Sequence, residues 1–123
     1  MIVLDYQDRR PLYEQIVEKF WHLILNGALK PGEKMPSVRQ LAMDLSINPN
    51  TIQRAYMQLE QEGLIYPVKG KGNFIADSQE VRKASVDAYK RELKSLIQKG
   101  KAMGMEEEEL IYIIRECYKE GMS

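Results

Sequence analysis

Side chains suited to covalent or metal chemistry are scarce in this chain. One cysteine, Cys117, leaves no second thiol for an intrachain disulfide, which agrees with a reducing compartment. The one histidine, His22, has no set of partners that would make it a metal ligand and is expected to be structural or exposed. The one tryptophan, Trp21, is expected to be a packing residue. No apolar run approaches the roughly 20 residues that a bilayer-spanning helix needs, and Met1–Asp5 turns acidic too early for a secretory signal. A soluble, cytoplasmic protein with no membrane partner is expected. Net charge is absent as well: 18 Lys/Arg balance 18 Asp/Glu. The balance is also even locally, with nine Lys/Arg against eight Asp/Glu in residues 1–76 and nine against ten in 77–123. Any positive field for a polyanion must therefore come from local arrangement. No nucleophile, base and orienting group recur in a catalytic arrangement. Gly70-Lys71-Gly72 lacks the spacing of a phosphate-binding loop. Neither an enzyme nor a cofactor is expected.

What is present is an ordinary globular composition, 44% apolar and 29% charged, in 123 residues. That length suffices for one good core and a small appendage. The most informative stretch is Pro36 to Glu62. Ser37 followed by Gln40 predicts a capping box, with the hydroxyl taking a free backbone donor and the Gln reaching back. Leu41 and Leu45 continue a helical apolar stripe, and Ser46-Ile47-Asn48 interrupts it. Asn48-Pro49 then opens a second helix, with Asn as cap and Pro at the first helical position. Ile52, Ala55, Tyr56 and Leu59 form its apolar face. Asn50, Gln53, Arg54 and Met57 lie two residues out of phase, roughly 200° around the helix and so opposite the core. Amide and guanidinium side chains there can pair with base edges in a major groove. A helix that docks through its first turns, with another helix crossing before it, is the helix-turn-helix arrangement.

The same polar stripe would suit an ordinary solvated face, and the segment that follows shifts the balance. Gly63 closes the helix. Leu64–Val68 reads as a short strand, an edge strand because of Pro67. Lys69-Gly70-Lys71-Gly72 is a basic turn, and Asn73–Ala76 is the return strand. A basic hairpin directly after a helix-turn-helix is a wing.

Several separated motifs now stand in order: Pro11-Leu12-Tyr13-Glu14-Gln15-Ile16, Gly27–Gly32, Met35–Arg39, Asn48–Tyr56, Glu62–Ile65 and Gly70–Gly72. Over Pro11–Ala76 the chain resembles the winged helix-turn-helix domain of the GntR family of bacterial transcription regulators, and most of all its YtrA subfamily. The resemblance implies DNA contacts by Arg39, Asn50, Thr51, Gln53 and Arg54, and by Lys71 with the Gly70 and Gly72 backbone at the wing. Many relatives carry Ser-Arg near the start of the second helix and an arginine one turn on. Asn48-Pro49-Asn50 and Gln53 stand at those positions here, which leaves the groove-binding role intact and the operator sequence open. The resemblance further implies control of transporter-associated operons.

Around this centre, Met1–Arg10 reads as an extended arm, with Arg9 and Arg10 as candidate phosphate contacts or plain solvated arginines. A first helix starts at Pro11 and buries Leu12, Ile16, Phe20, Leu23 and Ile24. Ala28–Met35 is a compact turn, with Pro31-Gly32 in a type II geometry. Residues 1–76 form the winged domain, and 77–123 a helical region expected to dimerise. That region should hold a helix over Gln79–Lys99, a turn bracketed by Gly100 and Gly104, and a last helix ending near Gly121. Glu106–Glu109 reads as the acidic first turn of that last helix, favoured by the helix dipole. Two such helices cannot bury both faces alone. A symmetric dimer is the simplest solution, and folding back on the winged domain is another.

The fold class is thus mainly α with one β-hairpin. The expected function is a homodimeric DNA-binding regulator, a repressor, on an inverted-repeat operator. Two readings stand beside it. One is a protein-interaction module that uses the winged fold without specific DNA. The other is an effector-sensing regulator with a small pocket lined by Tyr89, Tyr112 and Tyr118 between the C-terminal helices.

Overall fold

Proline has no N–H to donate and a fixed φ, so Pro11 suits the start of a helix. In the computed structural model, which describes residues 2–120, helix α1 (Leu12–Leu25) follows it directly. Ile16, Phe20 and Ile24 are buried as the spacing predicts, and Leu12 and Leu23 are half-buried flanks. The sequence pattern did not single out Gln15, which is the one buried polar side chain among the described residues. Its Oε1 accepts from the Asp5 N–H at 2.9 Å, and its Nε2 donates to the carbonyls of Asp5 at 3.0 Å and Arg10 at 3.3 Å. A buried amide is tolerated when its polar atoms are paired, and here the pairing fastens the N-terminal arm to α1. Ile2 enters the core as a result.

Gly32, at φ +86°, completes a type II turn, and Glu33 donates to the Lys30 carbonyl at 3.1 Å. The expected compact turn is more than a connection. Gly32 and Met35 donate to the carbonyls of Ile75 and Asn73, and Glu33 accepts from Ile75, each at 2.8 Å. The segment thereby lies along the return strand of the hairpin, with an isolated bridge between Lys34 and Phe74.

Helix α2 (Val38–Leu45) starts as half of the predicted capping box. The Ser37 hydroxyl accepts from the Gln40 N–H at 3.0 Å, but the Gln40 amide turns forward to Asp44 at 2.7 Å instead of back. An i,i+4 partner on the exposed face competes for it and wins. The helix closes through Ser46, which takes φ +56°, while Ile47 donates to the Ala42 carbonyl at 3.0 Å. Left-handed backbone is strained for serine and free for glycine. Ser46→Gly is therefore expected to raise stability by about 0.5–1 kcal/mol, read as a higher urea midpoint at unchanged slope.

Helix α3 (Pro49–Gln61) has Asn48 as its cap, with Oδ1 accepting from the Asn50 N–H at 2.8 Å. Gly63, at φ +78°, ends it. Gly63 donates to Glu60 and Leu64 donates to Leu59, both at 3.0 Å. Strands β1 (Ile65–Val68) and β2 (Gly72–Ile75) pair antiparallel, with Ile65 opposite Ile75 and Pro67 opposite Asn73. Three boundaries move relative to expectation, one of them the end of β2, at Ile75 instead of Ala76. Leu64 is a fully buried lead-in to β1, and Gly72 opens β2 instead of belonging to the turn. Pro67 lies on the outer strand, because Gly32–Met35 takes the far side of β2.

The core of this unit is Ile16, Phe20, Ile24, Met35, Leu41, Ile52, Tyr56, Leu59, Leu64 and Ile75 with their neighbours. Phe20 and Tyr56 meet edge to face at 5.9 Å between centroids. The Tyr56 hydroxyl donates to the Pro36 carbonyl at 2.7 Å, which ties α3 to the segment that leads into α2. Burial pushes the Tyr56 phenol well above its ordinary range, so it stays a donor.

Internal contacts divide the chain into Met1–Arg82 and Lys83–Ser123. Helix α4 (Gln79–Ala102) runs past the expected end at Lys99, so Gly100 lies in its last turn. A Cβ on Gly100 would stand 3.3 Å from the Met105 sulfur and 3.8 Å from Leu110 Cδ2, so the missing side chain lets the start of the next helix approach. Gly104 alone makes the left-handed turn, at φ +88°. Helix α5 (Glu107–Glu120) carries its acids in the first turn, and the Glu109 carboxylate accepts from the Glu106 N–H at 3.1 Å. The expected end near Gly121 lies outside the described residues. Among the described residues no helix is long and apolar enough to cross a membrane.

Candidate nucleic-acid interface

The buried face of α3, formed by Ile52, Ala55, Tyr56 and Leu59, leaves Asn50, Gln53, Arg54 and Met57 exposed and Thr51 half-buried. The helical period thus places the expected contact residues outward, starting at the N-terminal turns. Arg39, the second residue of α2, is exposed as well. It shares an open groove of about 610 Å³ with Met43, Ser46, Ile47, Asn48 and Pro49, so α2 delivers it to the N-terminal end of α3. That juxtaposition depends on the left-handed Ser46 and the Asn48 cap, which together set the path between the two helices.

At the hairpin tip, Lys69, Gly70 and Lys71 are exposed, and the Lys71 N–H donates to the Val68 carbonyl at 2.9 Å. Gly70 and Gly72 take φ +78° and +115°. Sequence reading missed Lys34 as a contributor. It bridges to Phe74, and its side chain runs so close over Gly72 that a Cβ there would sit 3.2 Å from the lysine Cε. The wing therefore gathers a third lysine from the strand-like segment ahead of α2. Nothing in the local sequence marks Lys34, because the pairing that brings it there is non-local.

The basic groups of the interface border an acidic groove, and Arg54 stands between the two on the Tyr13 ring. Arg39, Arg54 and the wing lysines account for the basic groups assigned to the interface, whereas the C-terminal half of α3 lies along a different groove. That groove is lined by Tyr13, Glu14, Val17, Glu18, Trp21, Gln58 and Glu62. Arg10 belongs to the acidic side. Asp8 and Glu18 clasp its guanidinium, both carboxyls are held below the usual carboxylate range by it, and the arginine is pushed up in turn. Of the two candidate arginines of the arm, only Arg9 is left outside this cluster. His22 is exposed on α1 beside Glu18, at 3.7 Å. Among the described residues no group of three or more His, Cys, Asp and Glu side chains could hold a metal.

Residues 12–75 match the model of the bacterial regulatory proteins of the gntR family. The chain belongs to the GntR family. It is 39% identical over 118 residues to the HTH-type transcriptional repressor YtrA of Bacillus subtilis (strain 168), across 94% of this chain and 91% of that one. A GntR family transcriptional regulator from Listeria monocytogenes superposes with a TM-score of 0.72 at 34% identity, over 92% of this chain and 98% of the other. The DNA-binding domain of AraR, solved in complex with operator ORR3, matches 60% of this chain and 89% of its own with a TM-score of 0.53 at 31% identity. This GntR chain is a DNA-binding transcription regulator with the winged helix fold, of the YtrA type.

The three tyrosines expected around a C-terminal ligand pocket are exposed, Tyr89, Tyr112 and Tyr118 alike. A shallow groove beside Tyr112 is lined by Met105, Glu108, Glu109 and Ile113, and neither Tyr89 nor Tyr118 reaches it.

Proposed function

We propose that this GntR regulator is a homodimeric repressor of an inverted-repeat operator. Asn50, Thr51 and Gln53 would enter the major groove, Arg39 and Arg54 would flank them, and Lys71 with Gly70 and Gly72 would follow the backbone at the wing. The observation that carries the reading is the shared surface at the N-terminal end of α3, where Arg39 of α2 stands beside the Asn48 cap and the outward polar stripe begins. Backbone donors at a helix N-terminus and guanidinium groups both suit phosphate, and exposed amides suit adenine edges.

Dimerisation is supported by what the second unit leaves open. In α5 no residue is buried, and Tyr112, Ile113, Ile114 and Tyr118 are exposed, as are Leu96 and Ile97 of α4. Apolar surface of that extent on so short a segment calls for a cover, and a second copy supplies the two-fold axis that an inverted repeat mirrors. The resemblance to YtrA-type regulators makes transporter-associated operons, its own among them, the first places to look for the site.

The test is anisotropy of labelled promoter DNA with Arg39→Ala. Affinity for the inverted repeat is expected to fall about tenfold or more, the cost of removing one specific or phosphate contact in each half-site. Retained affinity would remove Arg39 from the interface, and a wild-type protein with no preference for any operator would favour the protein-interaction reading.

A further inference from the structure

Arg54 differs from the other exposed residues of α3 in having a fixed seat. Its guanidinium carbon lies 3.8 Å from the centroid of the Tyr13 ring, a cation-π stack between α3 and the first turn of α1. Among the described residues Arg54 makes no ion pair. Tyr13 is itself half-buried, and its hydroxyl donates to Glu14 at 3.3 Å, so the ring is held at its far end.

The geometry of such a stack decides what the arginine can do. Its flat face is covered by the ring. Its N–H donors lie in the guanidinium plane and point outward from the edge, free to meet an anion. A long side chain that is already ordered loses less rotamer freedom on binding. The stack also draws Arg54 to the α1 flank of α3, away from the centre of the stripe formed by Asn50, Gln53 and Met57. On that flank, which also carries Glu14, Glu18 and Glu62, a duplex whose groove held α3 would present a strand of phosphates.

We infer that Tyr13 is a positioning residue for DNA binding: it holds Arg54 ready for a backbone phosphate, so Arg54 contributes affinity without reading sequence. This rests on the docking described above and assigns a role within it. A phosphate contact acts on any sequence, so the probe is a mixed-sequence duplex titrated by anisotropy at several salt concentrations with the full chain.

Arg54→Ala is expected to weaken binding and to lower the salt slope by about one for each phosphate that is no longer neutralised. Tyr13→Leu is expected to weaken binding about two- to fivefold per subunit with the slope unchanged, because the phosphate is still met, now by a disordered arginine. Tyr13→Phe keeps the ring and should restore wild-type affinity. Tyr13→Leu in the Arg54→Ala background should add nothing. Equal affinity of Tyr13→Leu and wild type would overturn the inference, as would an undiminished Tyr13→Leu effect in the absence of Arg54. A drop in affinity in Tyr13→Phe equal to that in Tyr13→Leu would count against it too, since the ring is then not the agent. Should Tyr13→Leu melt early, Tyr13→Met replaces it, and the ring-current shift of the Arg54 Nε–H by NMR reports the stack directly. A wild-type chain that binds no duplex even at low salt sinks the regulator reading itself, an outcome visible before any variant is compared.

Discussion

Phe20→Ala is expected to cost about 3–5 kcal/mol, enough to leave the winged domain near the edge of unfolding. Phe20 is fully buried and meets Tyr56 edge to face at 5.9 Å, so truncation removes both its own burial and half of an aromatic pair. The surroundings cannot easily close the gap. Tyr56 is tethered by its hydroxyl to the Pro36 carbonyl, and Ile16 and Ile24 are fixed on the same face of α1. A fall in melting temperature of at least about 12 °C by circular dichroism is the expected reading for a domain of this size. Phe20→Leu, which keeps most of the volume, should cost much less. A destabilisation below about 1 kcal/mol for the alanine variant would show that Phe20 is not the packed centre described above. The functional consequence is specific. Tyr56 ties α3 to the segment that leads into α2, so DNA binding should be lost as the winged domain melts.

The second large effect concerns assembly. Converting Ile113 and Ile114 to glutamate places two charges on α5 residues that are each about half exposed at 49%. Half-exposed charges can stay hydrated in a free subunit, but they would be desolvated in a covered face. The double variant is expected to run as a monomer by size-exclusion chromatography with light scattering, with each unit still folded. Binding to a two-half-site operator should then drop on the order of a hundredfold or more, because the second half-site no longer binds as an intramolecular event. A variant that remains dimeric would place the interface elsewhere. A wild-type chain that is already monomeric would leave the exposed apolar residues of α4 and α5 to another partner.

Much of this was legible from local pattern. The 3.6-residue period placed Ile52, Ala55, Tyr56 and Leu59 inward and Asn50, Gln53 and Arg54 outward, and both faces of α3 lie as expected. The Asn48-Pro49 start and the Gly63 stop each act through one residue and its immediate neighbours, and such signals survive in a bare sequence. What escaped is non-local or a contest between two partners. Gln15 was not singled out because nothing in its own turn shows that the arm returns to it. Lys34 joins the wing only through the pairing of Gly32–Met35 with β2. Gln40 could reach back to the cap or forward to Asp44, and the sequence contains both partners, the forward bond, to a carboxylate, being the stronger. Gly100 carries the usual mark of a helix stop, yet its lack of a side chain is used for close approach and Gly104 makes the turn.

The clasp of Gln15 on the N-terminal arm has a consequence for how this segment can change. Its amide meets the backbone N–H and carbonyl of Asp5 and the carbonyl of Arg10, and no side chain of the arm. Every residue type except proline offers the N–H that position 5 must supply. The Gln15 clasp thus grips the part of the chain that all sequences share. Changes at positions 5 and 10 leave this clasp intact, although Arg10 also ties the arm to α1 through Glu18, whereas Gln15 itself has almost no substitute, since only a side-chain amide of that length donates and accepts at once. In a set of related chains, position 5 is expected to vary more than the glutamine that grips its backbone.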